Sequence, residues 1–234
     1  MGKAFDWHLI FDFIPTLLEY LMVTLQVLVY ATVIGLILGM ILAVIRLFRV
    51  PVLSQLVVVF LSFIRGTPML IQLFLVFYGL PALLLVFGVD ISRMAPAYFV
   101  IITYALRDGA IFSEIFRSAI KGVDYGQTEA AMSVGMSQAQ GFFRIVLPQS
   151  ASIAFPNVAN SVISSLKDTS LAFTIGIMDM MGRGEALIAA TAHALEVYIA
   201  MSIIYYAVVL IMEQLAKVFE KRANRHKAPV VALD

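Results

Sequence analysis

The run TEAAMSVGMSQAQGFFRIVLPQ, residues 128–149, decides how the rest of the chain must be read. It is the one long stretch that is polar and helix-forming while strongly apolar segments flank it on both sides. Just before it, Asp124 followed by Gln127 is a capping-box pattern that starts a helix. Glu129 then lies near that helix's N-terminus, where the dipole favours negative charge. Gly135 suits the position just past the helix end, where a left-handed residue closes the last turn. Ser137 with Gln140 repeats the capping pattern and opens a second short helix, which Pro148 is expected to break. Two short helices meeting at a glycine make a rigid, protruding knob. The small side chains of Ala130 and Ala131 let another surface approach its first helix closely. An ordinary amphipathic helix lying on a membrane surface is the plainer reading of the same residues.

The flanking sequence supplies the membrane. Of 234 residues, 62% are hydrophobic and only 13% are charged, against about 25% charged residues in a typical soluble domain. Several apolar runs exceed the roughly 20 residues that a spanning helix needs, and they lack the strict alternation of barrel strands. The expected fold is therefore all-α and polytopic. There are no cysteines, so no thiol or disulfide chemistry is available. The net charge of +1 discriminates little. The first apolar run is too long, and its flanks too acidic, for a cleavable signal. No Walker A pattern is present, so ATP binding by this chain is not expected.

Five spans are expected, over residues 17–45, 52–80, 95–120, 151–175 and 194–219. Residues 1–19 read as an interfacial segment carrying Trp7, and 81–94 and 178–193 as external loops. The chain reads as one transmembrane domain, residues 1–234, with the knob loop at about 124–148 and a basic tail at about 217–234. In the first span Gly35 and Gly39 form a GxxxG pair that lets a neighbouring backbone pack closely. The second span is interrupted by Arg65-Gly66-Thr67-Pro68, which lipid tolerates only where neighbours or a cavity satisfy the freed carbonyls. Such interruptions serve transport sites or plain kinks. Arg107 and Asp108 fall near the middle of the third span, about 18 Å from its start; charges at that depth face protein or a water-filled cavity. Glu114 and Arg117, three residues apart, form a local ion pair. In the fourth span Asn157, Ser161, Ser164 and Asp168 make one polar stripe, beside Lys167. Such a stripe either holds helices together or lines a solvated passage.

Arg46, Arg49, Arg117, Lys121, Arg144 and the basic tail fall on one side of this arrangement. The positive-inside rule then places the knob and the C-terminus in the cytoplasm and the N-terminus outside. No internal repeat is visible, unlike the repeat-built secondary carriers, so any pseudo-symmetry comes from a second chain.

The spacing in the knob is Glu129-Ala130-Ala131, three residues, Gly135, nine residues, then Ile145-x-Leu147-Pro148. It resembles, position for position, the EAA loop of ABC-importer permeases. Residues 63–72, FIRGTPMLIQ, look like the FxRGTPxxxQ motif of the polar amino-acid branch, and 165–170, SLKDTS, resemble its LKDTSL motif. Residues 114–117, EIFR, also match; Arg107-Asp108 before Gly109-Ala110 departs from the small or amide residues more usual there. The resemblance covers nearly the whole chain. It implies five core spans per subunit and two permease subunits in a prokaryotic cell membrane. It also implies two cytoplasmic ABC ATPase subunits, which bind ATP and Mg, and an extracellular solute-binding protein. No nucleic acid, metal or cofactor in this chain is implied. The protein would do no covalent chemistry: Glu129, Ala130, Ala131 and Gly135 would couple ATPase closure to alternating access. Arg65, Thr67, Gln72, Arg107, Asp108, Ser164, Lys167, Asp168, Thr169 and Ser170 would line the substrate pathway. A zwitterion needs a cation and an anion together in such a site, and arginine suits its carboxylate. In a homodimer each group occurs twice about a two-fold axis, which fits cystine, itself two-fold symmetric. An ion-coupled secondary carrier would need no docking loop. A membrane scaffold would leave buried Arg65, Arg107 and Asp168 unexplained.

Overall fold

The computed structural model describes residues 4–223. The tail beyond Ala223, with Arg225 and Lys227, lies outside the described residues. Helix α1 spans Trp7–Leu47, α2 Leu53–Gly66, α3 Met69–Val86 and α4 Pro96–Lys121. The knob helices are α5 (Tyr125–Ser133) and α6 (Gln138–Gly141). Then follow α7 (Leu147–Asp168), α8 (Met180–Thr191) and α9 (Ala194–Ala223).

The frame is built on α1 and α4, the most extensively packed pair. They run parallel: Gly35 sits against Ala105, Asp108 and Gly109, and Gly39 against Gly109, Phe112 and Ser113. A Cβ added at Gly39 would stand 2.7 Å from the Phe112 Cβ and 3.0 Å from the Gly109 carbonyl oxygen. Two glycines one turn apart thus set the distance between these backbones, as the GxxxG pair implies. Helix α9 runs parallel to α1, with Val197, Ala200, Met201 and Ile204 buried against Ile10, Phe13 and Leu17. Helix α7 runs antiparallel to α4, Ser165 facing Asp108 while Leu147 and Ser150 face Ala119. Helices α2 and α3 also oppose α4 and act as one broken span. Leu61 and Ile64 pack by Ala110, and Leu73 by Phe99, Val100 and Tyr104. Five crossings therefore alternate in direction, and the knob shares one end of the bundle with the α1–α2 connection and the C-terminal end of α9.

By length and apolarity alone, α1, α3 and α9 qualify as spans. Helices α4 and α7 fall short because they carry polar groups that face inward, a pattern that lipid tolerates only when protein or water receives those groups.

Four expectations need correction. Residues 7–19 are not a separate interfacial segment: α1 is continuous from Trp7, capped where Asp6 accepts from the His8 N–H at 3.0 Å. Burial of Ile10, Phe13 and Leu17 against α9 outweighs the helix-breaking tendency of Pro15. Residues 81–86 are helical rather than loop, since α3 continues through a π turn, Leu75–Gly79, to Val86. Residues 180–191 form α8, capped by Asp179 accepting from the Gly182 N–H at 2.9 Å and packed on α1 and α9. Pro148 does not break the knob's second helix. It stands where α6 runs on into α7 through a π turn, Phe142–Val146, with the Leu147 N–H on the Phe142 carbonyl, and this widened turn accommodates the missing proline N–H without ending the helix.

Candidate functional site

Two features bear on function, and the first is the knob. Asp124 caps α5, accepting from the Gly126 N–H at 2.8 Å; Gln127 does not complete a capping box but lies by Gln149. Ser137 and Gln140 do form the full reciprocal box on α6. Gly135 has φ +84°. Its N–H donates to the Met132 carbonyl at 3.0 Å and the Met136 N–H to the Ala131 carbonyl at 3.1 Å. These are the two bonds of a Schellman closure, with glycine in the left-handed place. Ala130 and Ala131 divide: Ala130 is exposed beside Glu129, whereas Ala131 is buried against Gly141 and lets α5 and α6 meet. The outward face carries Tyr125, Val134 and Phe143, all more than 60% exposed. Apolar side chains displayed beyond the basic end of the bundle suit a partner surface.

The second feature is a polar cluster where α4 meets the end of α7. An Arg107 Nη2 lies 2.6 Å from the Asp168 Oδ2. The other Nη donates to the Ser165 Oγ at 3.1 Å, and Ser165 in turn donates to the Asp108 Oδ1 at 2.6 Å. Arg107 and Asp108 are 3.4 Å apart. The Tyr104 hydroxyl donates to the Asp168 backbone carbonyl, tying α4 to the point where α7 tightens into a 3₁₀ turn, Thr169–Ile175. Asp108 is fully buried, whereas the Arg107 and Asp168 side chains keep 19% and 29% of their surface. The Arg107–Asp168 pair therefore stands at the edge of the cluster, reachable from outside, and Asp108 behind it.

The other candidates separate by position. Lys167 and Ser164 are exposed and Ser170 half-buried on the outer side of α7 and its 3₁₀ turn; Lys167 and Ser170 line a groove of about 620 Å3 shared with Tyr205, Tyr206 and Glu213 of α9. Thr169 is buried and its hydroxyl donates to the Leu166 carbonyl. Arg65 is exposed on α2, away from the cluster. Gln72 is buried, and its amide donates to the Ile64 carbonyl at 2.7 Å, the Thr67 carbonyl at 2.9 Å and the Thr67 hydroxyl at 3.0 Å. It answers the carbonyls freed at the Gly66–Pro68 break, the requirement that lipid imposes on an interrupted span. Tyr104, Tyr205, Tyr206 and Glu213 were not singled out from sequence, and Ser165 entered only as the first residue of the run 165–170, with no role of its own. Ser165 lies next to the polar stripe in sequence but on the adjoining face of α7, and only the packing against α4 distinguishes it.

A partly buried charged cluster inside a bundle of alternating crossings, with a capped helical knob at one end, is the architecture of a multi-span membrane protein built around a polar interior. The chain belongs to the binding-protein-dependent transport system inner membrane component family, which matches residues 35–225, and within it to the polar amino-acid ABC importer permeases. It is 52% identical to the L-cystine transport system permease protein TcyL of Bacillus subtilis over all of this chain and 98% of that protein. It is 40% identical to the probable amino-acid permease protein YxeN of the same organism, over 95% of this chain and 98% of that one. A crystal structure of an amino acid ABC transporter with histidines superimposes with a TM-score of 0.84 at 28% identity, covering 94% of this chain and all of the other. The methionine ABC transporter MetNI, in inward-facing form, shares the fold with a TM-score of 0.62 at 17% identity, over 88% of this chain and 94% of that one. The protein is thus a multi-pass bacterial inner-membrane permease subunit that is not itself a catalyst. ATP is handled by a partner ATPase, and a binding protein delivers the solute.

Proposed function

We propose that this permease imports L-cystine. The observation that carries the reading is the partly exposed Arg107–Asp168 pair, a cation and an anion 2.6 Å apart at the edge of a buried cluster. Opened by an incoming zwitterion, the pair offers a guanidinium to its carboxylate and a carboxylate to its ammonium group. A planar guanidinium suits both carboxylate oxygens, and exchanging one charged partner for another avoids leaving either buried and unpaired. Lys167 and Ser170, in the groove against α9, and Ser164, exposed on α7, would continue the pathway from that pair. Asp108, Ser165, Thr169 and Gln72 hold the walls. Arg65 and Thr67, at the break between α2 and α3, mark the pathway's far wall.

The assembly we propose is a homodimer of this chain with two ATPase subunits and one binding protein. The stripe of Asn157, Ser161 and Ser164 is exposed or half-buried on α7. Polar side chains on a spanning helix are costly against lipid, which supports their facing a second copy or the passage. A two-fold pair of sites matches the two zwitterionic ends of cystine, and the 52% identity to TcyL supports the same cargo. The basic end of the bundle, with the knob and C-terminus, is cytoplasmic, and the N-terminus is outside. Glu129 and Ala130 offer the exposed contact through which ATPase closure turns the crossings from one opening to the other, while Ala131, buried against Gly141, and Gly135, closing α5, hold its shape.

Uptake of labelled cystine against arginine, glutamine and glutamate tests this, in wild type and in Arg107→Gln and Asp168→Asn. Losing one charge-assisted hydrogen bond of about 1.5–3 kcal/mol should lower cystine uptake roughly 10- to 100-fold in assembled complexes. Unchanged cystine uptake in folded variants would remove the site. A wild-type preference for arginine would remove the cargo and leave the importer.

A further inference from the structure

The connection between α1 and α2 closes over a cleft of about 410 Å3. Arg46, Arg49, Arg117 and Lys121 converge on it from α1, α4 and the connection, with Ser54 at its polar rim and Val58 on its apolar side. Among the described residues Glu114 is the one carboxylate paired there, receiving an Nη of Arg46 and, at 2.9 Å, the Nη2 of Arg117. Four cations thus meet one anion. Arg49 and Lys121 have no ion-pair partner among the described residues.

The connection itself is bent in an unusual way. Arg49 has φ 50° and Val52 φ 63°. Positive φ is costly for an ordinary residue and more so for a β-branched one. Strain of this kind marks places where the surroundings dictate a shape, and it clusters at ligand sites. The cleft's height along the bundle supplies the ligand. The apolar run of α1 ends at Leu47 and that of α2 starts at Leu53, so the cleft stands where the bilayer's headgroups begin. Basic pockets between spanning helices at that level suit phosphate headgroups, and the neighbouring valines suit the first acyl carbons.

We propose that this cleft binds the phosphate of an anionic phospholipid in the leaflet on the knob side. The phosphate would balance Arg49 and Lys121 and bridge α2 to the α1–α4 pair. The proposal is independent of the cargo, because none of these residues belongs to the polar cluster or the knob.

The test uses the intact permease–ATPase complex in phosphatidylcholine nanodiscs containing spin-labelled phosphatidylglycerol. The preference for labelled phosphatidylglycerol over labelled phosphatidylcholine is read from the motionally restricted signal. Arg49→Gln with Lys121→Gln should lower that preference roughly 30-fold, about fivefold for each charge removed. Both side chains are exposed, so the variant should fold, and Arg93→Gln at the other end should leave the preference unchanged. An unchanged preference in the double variant would overturn the proposal and reduce these charges to setting orientation. Displacement of the labelled lipid by millimolar inorganic phosphate would overturn it in favour of a soluble-phosphate site.

Discussion

Replacement of Gly135 isolates backbone conformation from packing. Its φ is +84°. No heavy atom lies within 4 Å of where a Cβ would stand, so a larger side chain meets no neighbour and the whole cost is that of left-handed backbone. For an ordinary L-residue this is about 1–2 kcal/mol. Asparagine tolerates the conformation better, and a β-branched residue worse. Helix α5 has nine residues, fewer than the roughly 12–15 that an isolated helix needs. Its order rests on the closure at Gly135 and on Ala131 against Gly141. A loss of 1–2 kcal/mol lowers the ratio of closed to open knob about 5- to 30-fold. The expected order of activity is Gly, Asn, Ala, Val. The assay is ATP hydrolysis by the reconstituted complex on adding cystine-loaded binding protein, with membrane content checked by immunoblot. All variants should reach the membrane, because the knob lies outside the spans, and Gly135→Val should lose stimulated hydrolysis and ATPase assembly. Equal activity of the valine and glycine proteins, or an asparagine variant as damaged as the valine one, would refute the conformational reasoning.

Three further outcomes follow. Gly39→Val should destabilise the permease by about 1–3 kcal/mol through overpacking against Phe112 and the Gly109 carbonyl, seen as a lower thermal midpoint. Gly66→Ala, with nothing within 4 Å of its added Cβ, should change it far less. Gln72→Leu should cost about 1–3 kcal/mol by orphaning the carbonyls at the α2–α3 break, with substrate preference retained. A changed preference at unchanged stability would instead place Gln72 in the passage. Because the chain has no cysteine, single cysteines report topology: one at Ser137 should react with an impermeant thiol reagent only from the cytoplasm, and one at Glu185 only from outside. Labelling of both from one face would reject the proposed orientation.

Local chemistry was legible in the residues. The capped and glycine-closed knob depends on bonds within about six residues, so Ser137, Gln140 and Gly135 announce it before any folding. The apolar runs announce a membrane bundle for a similar reason, since each span must satisfy its own backbone in lipid. The close α1–α4 contact was foreshadowed by Gly35 and Gly39, though not the partner helix. What lay beyond reach was pairing between elements. Periodicity put Ser164 and Asp168 on one stripe of α7, but it carries no information on which neighbour each face meets. The bundle turned the adjoining face toward α4 and brought Ser165, not Ser164, between Arg107 and Asp108. Gln72 stands in the pathway motif by sequence, but that its amide meets carbonyls eight and five positions back is a matter of folding. The first turns of α1 read as interfacial from sequence because Trp7, His8 and Asp12 make them mixed and tryptophan favours the membrane boundary. Their helix is held by apolar contacts with α9, some 190 residues away in the chain. Short-range rules act within a turn or two of backbone, whereas a buried charge finds its partner only when two helices commit to a register.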